Sequence, residues 1–224
     1  MIDFKNEHIY KNKKYVYINN HSEHLIIVLN THNQGDRYFG YKTLSEGETD
    51  VDLLFLVDAH NKYYLDHDKG KTYLELIDLI IKNYDLEKVT IFGASMAGFA
   101  ALHFSMELKL NVIAINPQIN LSSAEKLAWP KLRETLSNLD SHYDLENGII
   151  QKYSGQSIFL TFGQHRLDKQ AYQEFIGLNL PNVSVIIRLI DSIEHKFFLN
   201  DLLHIKDIHF LGIENRRLSH FIKP

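Results

Sequence analysis

The stretch Val89-Thr90-Ile91-Phe92-Gly93-Ala94-Ser95-Met96-Ala97-Gly98-Phe99-Ala100-Ala101-Leu102 decides the fold. An apolar run rich in β-branched residues ends in a glycine, a serine follows two residues later, and an alanine-rich helical pattern begins at once. So sharp a strand-to-helix reversal puts the serine in a strained backbone conformation. Side chains two residues before it and two or three after would collide, and Gly93, Ala97 and Gly98 supply the small residues this requires. The expected outcome is an exposed Ser95 hydroxyl at a helix N-terminus, where the dipole and free N–H groups favour developing negative charge. The Met96 N–H is then the expected first oxyanion donor. A plainer reading keeps the turn and makes Ser95 only the cap of the helix. The segment alone leaves both readings open, and its partners must choose.

Outward from this segment, strand patterns alternate with helical ones. Runs at 14–18, 25–29, 53–57, 89–92, 112–115, 157–162 and 183–187 read as strands, several of them continuously apolar as expected for strands buried on both faces. Helical patterns lie at 71–84 (Leu74, Ile77, Ile80 and Ile81 on one face), 96–108, 122–139, 168–178 and 196–205. This order predicts βαβ units and a mostly parallel sheet covered on both faces, in one α/β domain over residues 1–224. Residues 120–150, with Trp129-Pro130 and Asp140-Ser141-His142-Tyr143, interrupt the rhythm; such an insertion after a central strand often forms a cap over a site. The segment 215–224 is basic and polar and reads as loosely held.

Composition removes several function classes. At 45% hydrophobic and 23% charged residues the 224-residue chain is a globular protein with enough length to bury a core. It contains no cysteine, which excludes disulfides, thiolate metal sites and a cysteine nucleophile. A net charge of −4 argues against a nucleic-acid partner. No run reaches the ~18 apolar residues of a membrane span. The opening residues lack a secretory pattern, so the expected location is cytoplasmic. The oligomeric state, monomer or homo-oligomer, is not encoded in these patterns.

A serine nucleophile needs a base within hydrogen-bond reach and an acid to orient that base. In the order Ser, Asp or Glu, His, each sits on a loop at the carboxyl end of a later strand. After the strand at 157–162 comes Gly163-Gln164-His165-Arg166-Leu167-Asp168, with Asp168 its only carboxylate; after 183–189 comes Ile190-Asp191-Ser192-Ile193-Glu194-His195. Asp168 taken alone could equally cap a helix starting at Lys169, and His195 is one of 13 histidines. Asp191 and Glu194 are rival acids, but neighbours so near in sequence rarely fold back onto the same ring. The joint occurrence favours Ser95, His195 and Asp168 as a triad. The second oxyanion donor is expected in the loop after 25–29, at the Thr31 N–H, with Asn30 or His32 as helping side chains.

Other constellations are weaker. Asp58-Ala59-His60 and Asp66-His67-Asp68 have the composition of metal ligands without a spacing that dictates a site, and read as solvated loops; no metal is expected. Tyr63-Tyr64 either line a sugar pocket or pack over the sheet. Lys11 to Lys14 reads as a solvated turn, and His103 as a residue packed against the sheet. No Gly-x-Gly-x-x-Gly follows the first strand, which excludes a dinucleotide fold.

The elbow at Gly93-Ala94-Ser95-Met96-Ala97-Gly98 resembles that of the α/β-hydrolase superfamily. With Tyr63-Tyr64-Leu65, the helix at 71–84 and Ile115-Asn116-Pro117-Gln118, the chain more narrowly resembles small bacterial capsule polysaccharide O-acetyltransferases. The resemblance implies acetyl transfer from acetyl-CoA, with no permanently bound cofactor, through an acetyl-enzyme on Ser95 to a carbohydrate acceptor, with Asp168 and His195 matching the acid and base. The chain has Glu194 where that family has glycine before the base, and Asp168 lies five residues past Gly163. Carbohydrate or small-molecule esterases share the core, and a non-catalytic assembly or binding protein that keeps the elbow as a relic is the contrasting class.

Overall fold

The structure is a computed structural model that describes residues 6–46, 50–140, 142–180, 183–199 and 202–221. Two short strands, β1 (Glu7–Tyr10) and β2 (Lys13–Ile18), form a hairpin whose turn residues Lys11 and Asn12 both have positive φ, as a tight hairpin requires. The chain continues through β3 (Leu25–Leu29), α1 (Tyr41–Ser45), β4 (Asp52–Leu56), α2 (Lys71–Ile81), a 3₁₀ turn (Leu86–Lys88), β5 (Val89–Ala94) and α3 (Met96–Leu108). It then adds β6 (Asn111–Ile115), α4 (Leu121–Leu127), α5 (Pro130–Ser137), α6 (Leu145–Lys152), β7 (Ser157–Phe162), α7 (Arg166–Ile176), β8 (Ser184–Leu189) and α8 (Leu202–Phe221).

The strands form one eight-stranded sheet in the order β1-β2-β4-β3-β5-β6-β7-β8. The hairpin strands join it antiparallel, and β4, β3, β5, β6, β7 and β8 are mutually parallel. Every residue of β3, β4, β5, β6 and β7 is buried, which is why these strands read as continuous apolar runs. Alternation divides their side chains: Ile27, Leu54, Ile91 and Ala114 face a layer containing Leu76, Phe99, Ile149 and Phe175, while Ile26, Phe55, Phe92 and Ile113 face Leu44, Leu199 and Ile205. No helix among the described residues is long and apolar enough to cross a membrane.

Several expectations change. The pattern at 122–139 is two helices, α4 and α5, because Pro130 cannot continue the first and instead opens the second. The stretch expected to be helical at 196–205 has no regular structure over 196–199, and its helix, α8, runs far beyond it. The segment read as loosely held is therefore helical through Phe221, with Arg216 donating to the Lys109 carbonyl at 3.1 Å; residues 222–224, like residues 1–5 and Ser141, lie outside the described residues. Asp58 is no solvated residue. It is 2% exposed, accepts from the Tyr64 N–H, and burial lifts its pKa to about 6. Asp66 is tied to Lys13, and Asp68 accepts from the N–H groups of Gly70 and Thr72, anchoring the start of α2. Lys13 is correspondingly half-buried over the Tyr73 ring rather than solvated. Of the alternatives for Tyr63 and Tyr64, packing holds: both are fully buried, Tyr63 edge-on to Phe99 and Tyr64 to Tyr73.

Two stability tests follow from these contacts. A Cβ at Gly93 would lie 2.2 Å from the Ala97 carbonyl oxygen, whereas one at Gly35 would meet nothing within 4 Å and suffer only from its φ of +57°. Gly93→Ala should cost at least about 3 kcal/mol in denaturant unfolding, and Gly35→Ala about 1–2 kcal/mol. The second test concerns His209, buried on α8 between Thr90 Oγ1 at 2.7 Å and His24 Nδ1 at 3.2 Å. Burial first, then the His24 ring, push its pKa down to about 3. Below the unfolded value of about 6.5 only the unfolded chain takes up this proton, so His209 destabilises the fold by about 1.4 kcal/mol per pH unit as pH falls towards 3. Replacing it in His209→Gln should flatten the loss of stability between about pH 6 and about pH 4.5.

Candidate active site

Ser95 joins β5 to α3 with φ 53° and ψ −118°, and its side chain makes no capping hydrogen bond. A capping serine sits in the extended region and accepts from the second or third helical N–H, so the plainer reading of this residue fails on both counts. The strain is held from two sides. The Ser95 N–H donates to the Ile115 carbonyl at 2.8 Å, and the helix packs so close to the next loop that a Cβ on Gly98 would stand 3.1 Å from Pro117. The Met96 N–H opens the helix and so has no intrahelical acceptor.

His195 brings its Nε2 to 2.8 Å from Ser95 Oγ, and its Nδ1 is bonded to Asp168 Oδ1. Asp168 is 1% exposed and lies in the first turn of α7. It does not cap that helix: α7 starts earlier than the pattern implied, and the cap is His165, whose Nδ1 accepts from the Leu167 N–H at 3.3 Å. The turn of helix takes up the separation between Gly163 and the carboxylate. A Cβ at position 163 would lie 2.9 Å from Asp168 Oδ2, so a side chain there would displace the carboxylate. The rival acid Glu194 instead pairs with Lys196 at 3.0 Å on the surface.

Ser95, Ala94, Thr31, His32, Trp129 and Phe197 line a cavity of about 210 Å³ beside this relay. Thr31 is tethered there, its Oγ1 donating to the Ala94 carbonyl at 2.8 Å. Asn30 is not available as a helping donor: its amide donates to Gly35, and its Oδ1 accepts from the Asp58 N–H and the Tyr64 hydroxyl. His32 has Nε2 on Thr135 and Nδ1 on Asn33, and burial, with Lys131 and the His195 ring acting in the same sense, lowers its pKa and favours the neutral ring. Thr135 and Trp129 both come from the 120–150 insertion, whose tryptophan stands 5.5 Å from the His195 ring. His165, Asp168 and His195 present ligand atoms within 4.8 Å of one another. Both nitrogens of His195 are already engaged, so a metal there would have to break the contact with Ser95 or with Asp168.

Sequence reading left two contributors without a role. Asn116, at φ 45°, accepts from the Gly163 N–H and donates to the Lys196 carbonyl, both at 2.8 Å, and so holds the loops of Asp168 and His195 together. Gln118 Nε2 lies 3.3 Å from Ser95 Oγ. The signals for either were their position just past a buried strand adjoining the elbow and the Asn116-Pro117-Gln118 segment that supports the resemblance, neither of which gave them a role.

No family model matches the sequence, and no curated protein matches it. Solved structures do. The capsule O-acetyltransferase of Neisseria meningitidis serogroup A superposes with a TM-score of 0.66 at 19% identity over 93% of each chain, and a histidine variant of it in complex with CoA with a TM-score of 0.60 at 18% identity over 92% and 93%. An S-formylglutathione hydrolase from Agrobacterium tumefaciens gives 0.66 at 14% identity over 93% of each chain. The fluorophosphonate-binding serine hydrolase FphF of Staphylococcus aureus gives 0.63 at 13% identity over 92% of this chain and 96% of its own. The chain has an α/β-hydrolase-like fold.

Trp129 is the single tryptophan of the chain, so intrinsic fluorescence reports on this cavity. A fluorophosphonate that reaches Ser95 should change the Trp129 emission in step with covalent labelling. The Ser95→Ala protein should show neither change.

Proposed function

We propose that the protein is a serine-dependent acyltransferase working through a covalent acyl-enzyme, an O-acetyltransferase that moves acetyl groups from acetyl-CoA to hydroxyls of a capsule or other cell-surface polysaccharide. The observation that carries the proposal is the 2.8 Å contact between Ser95 Oγ and His195 Nε2, on a strained serine that caps nothing, with Asp168 on the far ring nitrogen. In the first half-reaction Ser95 Oγ attacks the thioester carbonyl carbon while its proton passes to His195 Nε2. The C–S bond then breaks and the departing thiolate takes that proton. In the second, an acceptor hydroxyl gives its proton to Nε2 and attacks the acyl carbon, and Ser95 Oγ leaves with the proton. Asp168 fixes the imidazole tautomer and offsets its positive charge. The Met96 N–H and the Thr31 N–H are the donors assigned to the oxyanion.

The donor and acceptor classes draw support from the capsule O-acetyltransferase, one of whose structures holds CoA; with acetyl-CoA as the donor, the setting proposed for the reaction is the cytoplasm. Trp129 and Phe197 at the cavity give apolar surfaces on which the face of a sugar ring can rest. The hydrolases of the same fold favour a second reading, in which water replaces the sugar in the second half-reaction.

Intact-protein mass spectrometry after brief incubation with acetyl-CoA, and separately with an activated acetyl ester, tests both readings. An acetyl adduct on Ser95 formed from acetyl-CoA and discharged faster by a carbohydrate than by water is expected. Labelling by the ester alone would replace the transferase with an esterase. Ser95→Ala and His195→Ala should lower turnover at least about 10³-fold; unchanged turnover in both would remove them from the chemistry, and a wild type with neither adduct nor turnover would leave a binding protein.

A further inference from the structure

Gln118 is 1% exposed, and both ends of its amide are placed. Nε2 lies 3.3 Å from Ser95 Oγ, and Oε1 accepts from the Tyr63 hydroxyl at 3.3 Å. Tyr63 is fully buried, and desolvation together with the nearby Asp58 charge raises its pKa, so the phenol keeps the proton it donates. Its backbone sits at φ 58°, a conformation that bulky residues seldom adopt, and the loop holds it there beneath α3. The two ends of a glutamine amide have the same shape and opposite chemistry. With Nε2 towards Ser95, Oγ receives a hydrogen bond and its own proton is left for His195. With the amide inverted, Oε1 would compete with His195 for that proton.

We propose that Gln118 is a further catalytic residue, a fixed amide donor to the oxygen of the nucleophile, and that Tyr63 is the positioning residue that sets its orientation. The inference rests on the reading of Ser95 as the nucleophile and adds a step-specific role. In the free enzyme Oγ is a hydroxyl oxygen and accepts from Gln118. In the acyl-enzyme it is an ester oxygen, a poorer acceptor. As the acceptor's O–C bond forms and the Oγ–C bond breaks, negative charge returns to Oγ until the proton arrives from His195 Nε2, and the Gln118 bond strengthens with it. Discharge of the acyl group therefore gains more from Gln118 than its formation does.

The test uses the full chain with 4-nitrophenyl acetate, reading formation from the nitrophenolate burst and discharge from the decay of the acetyl adduct by intact mass. Gln118→Met, similar in volume and without a donor, should slow discharge about tenfold while formation changes less than about threefold, so that acetylated protein accumulates. Tyr63→Phe, which keeps the buried ring, should slow discharge in the same sense by a smaller factor, and carries the test if Gln118→Met does not fold. Equal slowing of both steps, or no slowing, in the folded variants would overturn the inference and leave Ser95 as the nucleophile. A wild type that forms no adduct on Ser95 would overturn this inference together with the function it rests on.

Discussion

Between Gly93 and the carbonyl of Ala97 the chain leaves no room for a methyl group: an added Cβ would sit 2.2 Å from the oxygen. That closeness lets the end of β5 turn into α3 at a single residue, and it forces Ser95 into a conformation few residues tolerate. The strain is offset by burial. β5 lies between β3 and β6, and α3 is buried through most of its length, so relaxing the turn would mean separating a central strand from its covering helix. The serine hydroxyl is aimed by the core beneath it, without any side-chain bond of its own to the helix backbone.

The remaining groups are gathered by a few polar contacts. Asn116-Pro117-Gln118 leaves β6 and meets each participant in turn: Asn116 bridges the loops of Asp168 and His195, Pro117 rests on Gly98 of the elbow helix, and Gln118 reaches Ser95. The fold places each loop at the carboxyl edge of a parallel sheet, as this class of topology dictates. This tripeptide holds the loops of Ser95, Asp168 and His195 to one another.

Much of this was legible in the sequence because its causes are local. Val112 to Ile115 reads as a strand buried on both faces, and Gly93, Ala97 and Gly98 around a serine read as a tight reversal. What escaped depends on contacts between distant segments. The length of α8 is set by packing on the sheet and by Arg216 reaching Lys109, and the hydropathy of its polar end gave no sign of either. Asp58 reads as a loop carboxylate until Tyr64 folds over it. Asn30 follows a strand in the place of an oxyanion donor, yet Gly35, Asp58 and Tyr64 claim its side chain. The roles of Asn116 and Gln118 needed three loops to be brought together before any chemistry could be read from them.

Helix α8 follows in the chain every strand that it covers. Ile26, Phe92 and Ile113 share their buried face of the sheet with Ile205 of that helix. Without α8, the part of this face that Tyr38 and Leu44 do not cover would be open to water, the kind of surface that associates with its own copies. Docking of α8 closes that surface, so the helix guards the sheet against association with its own copies as well as completing the core.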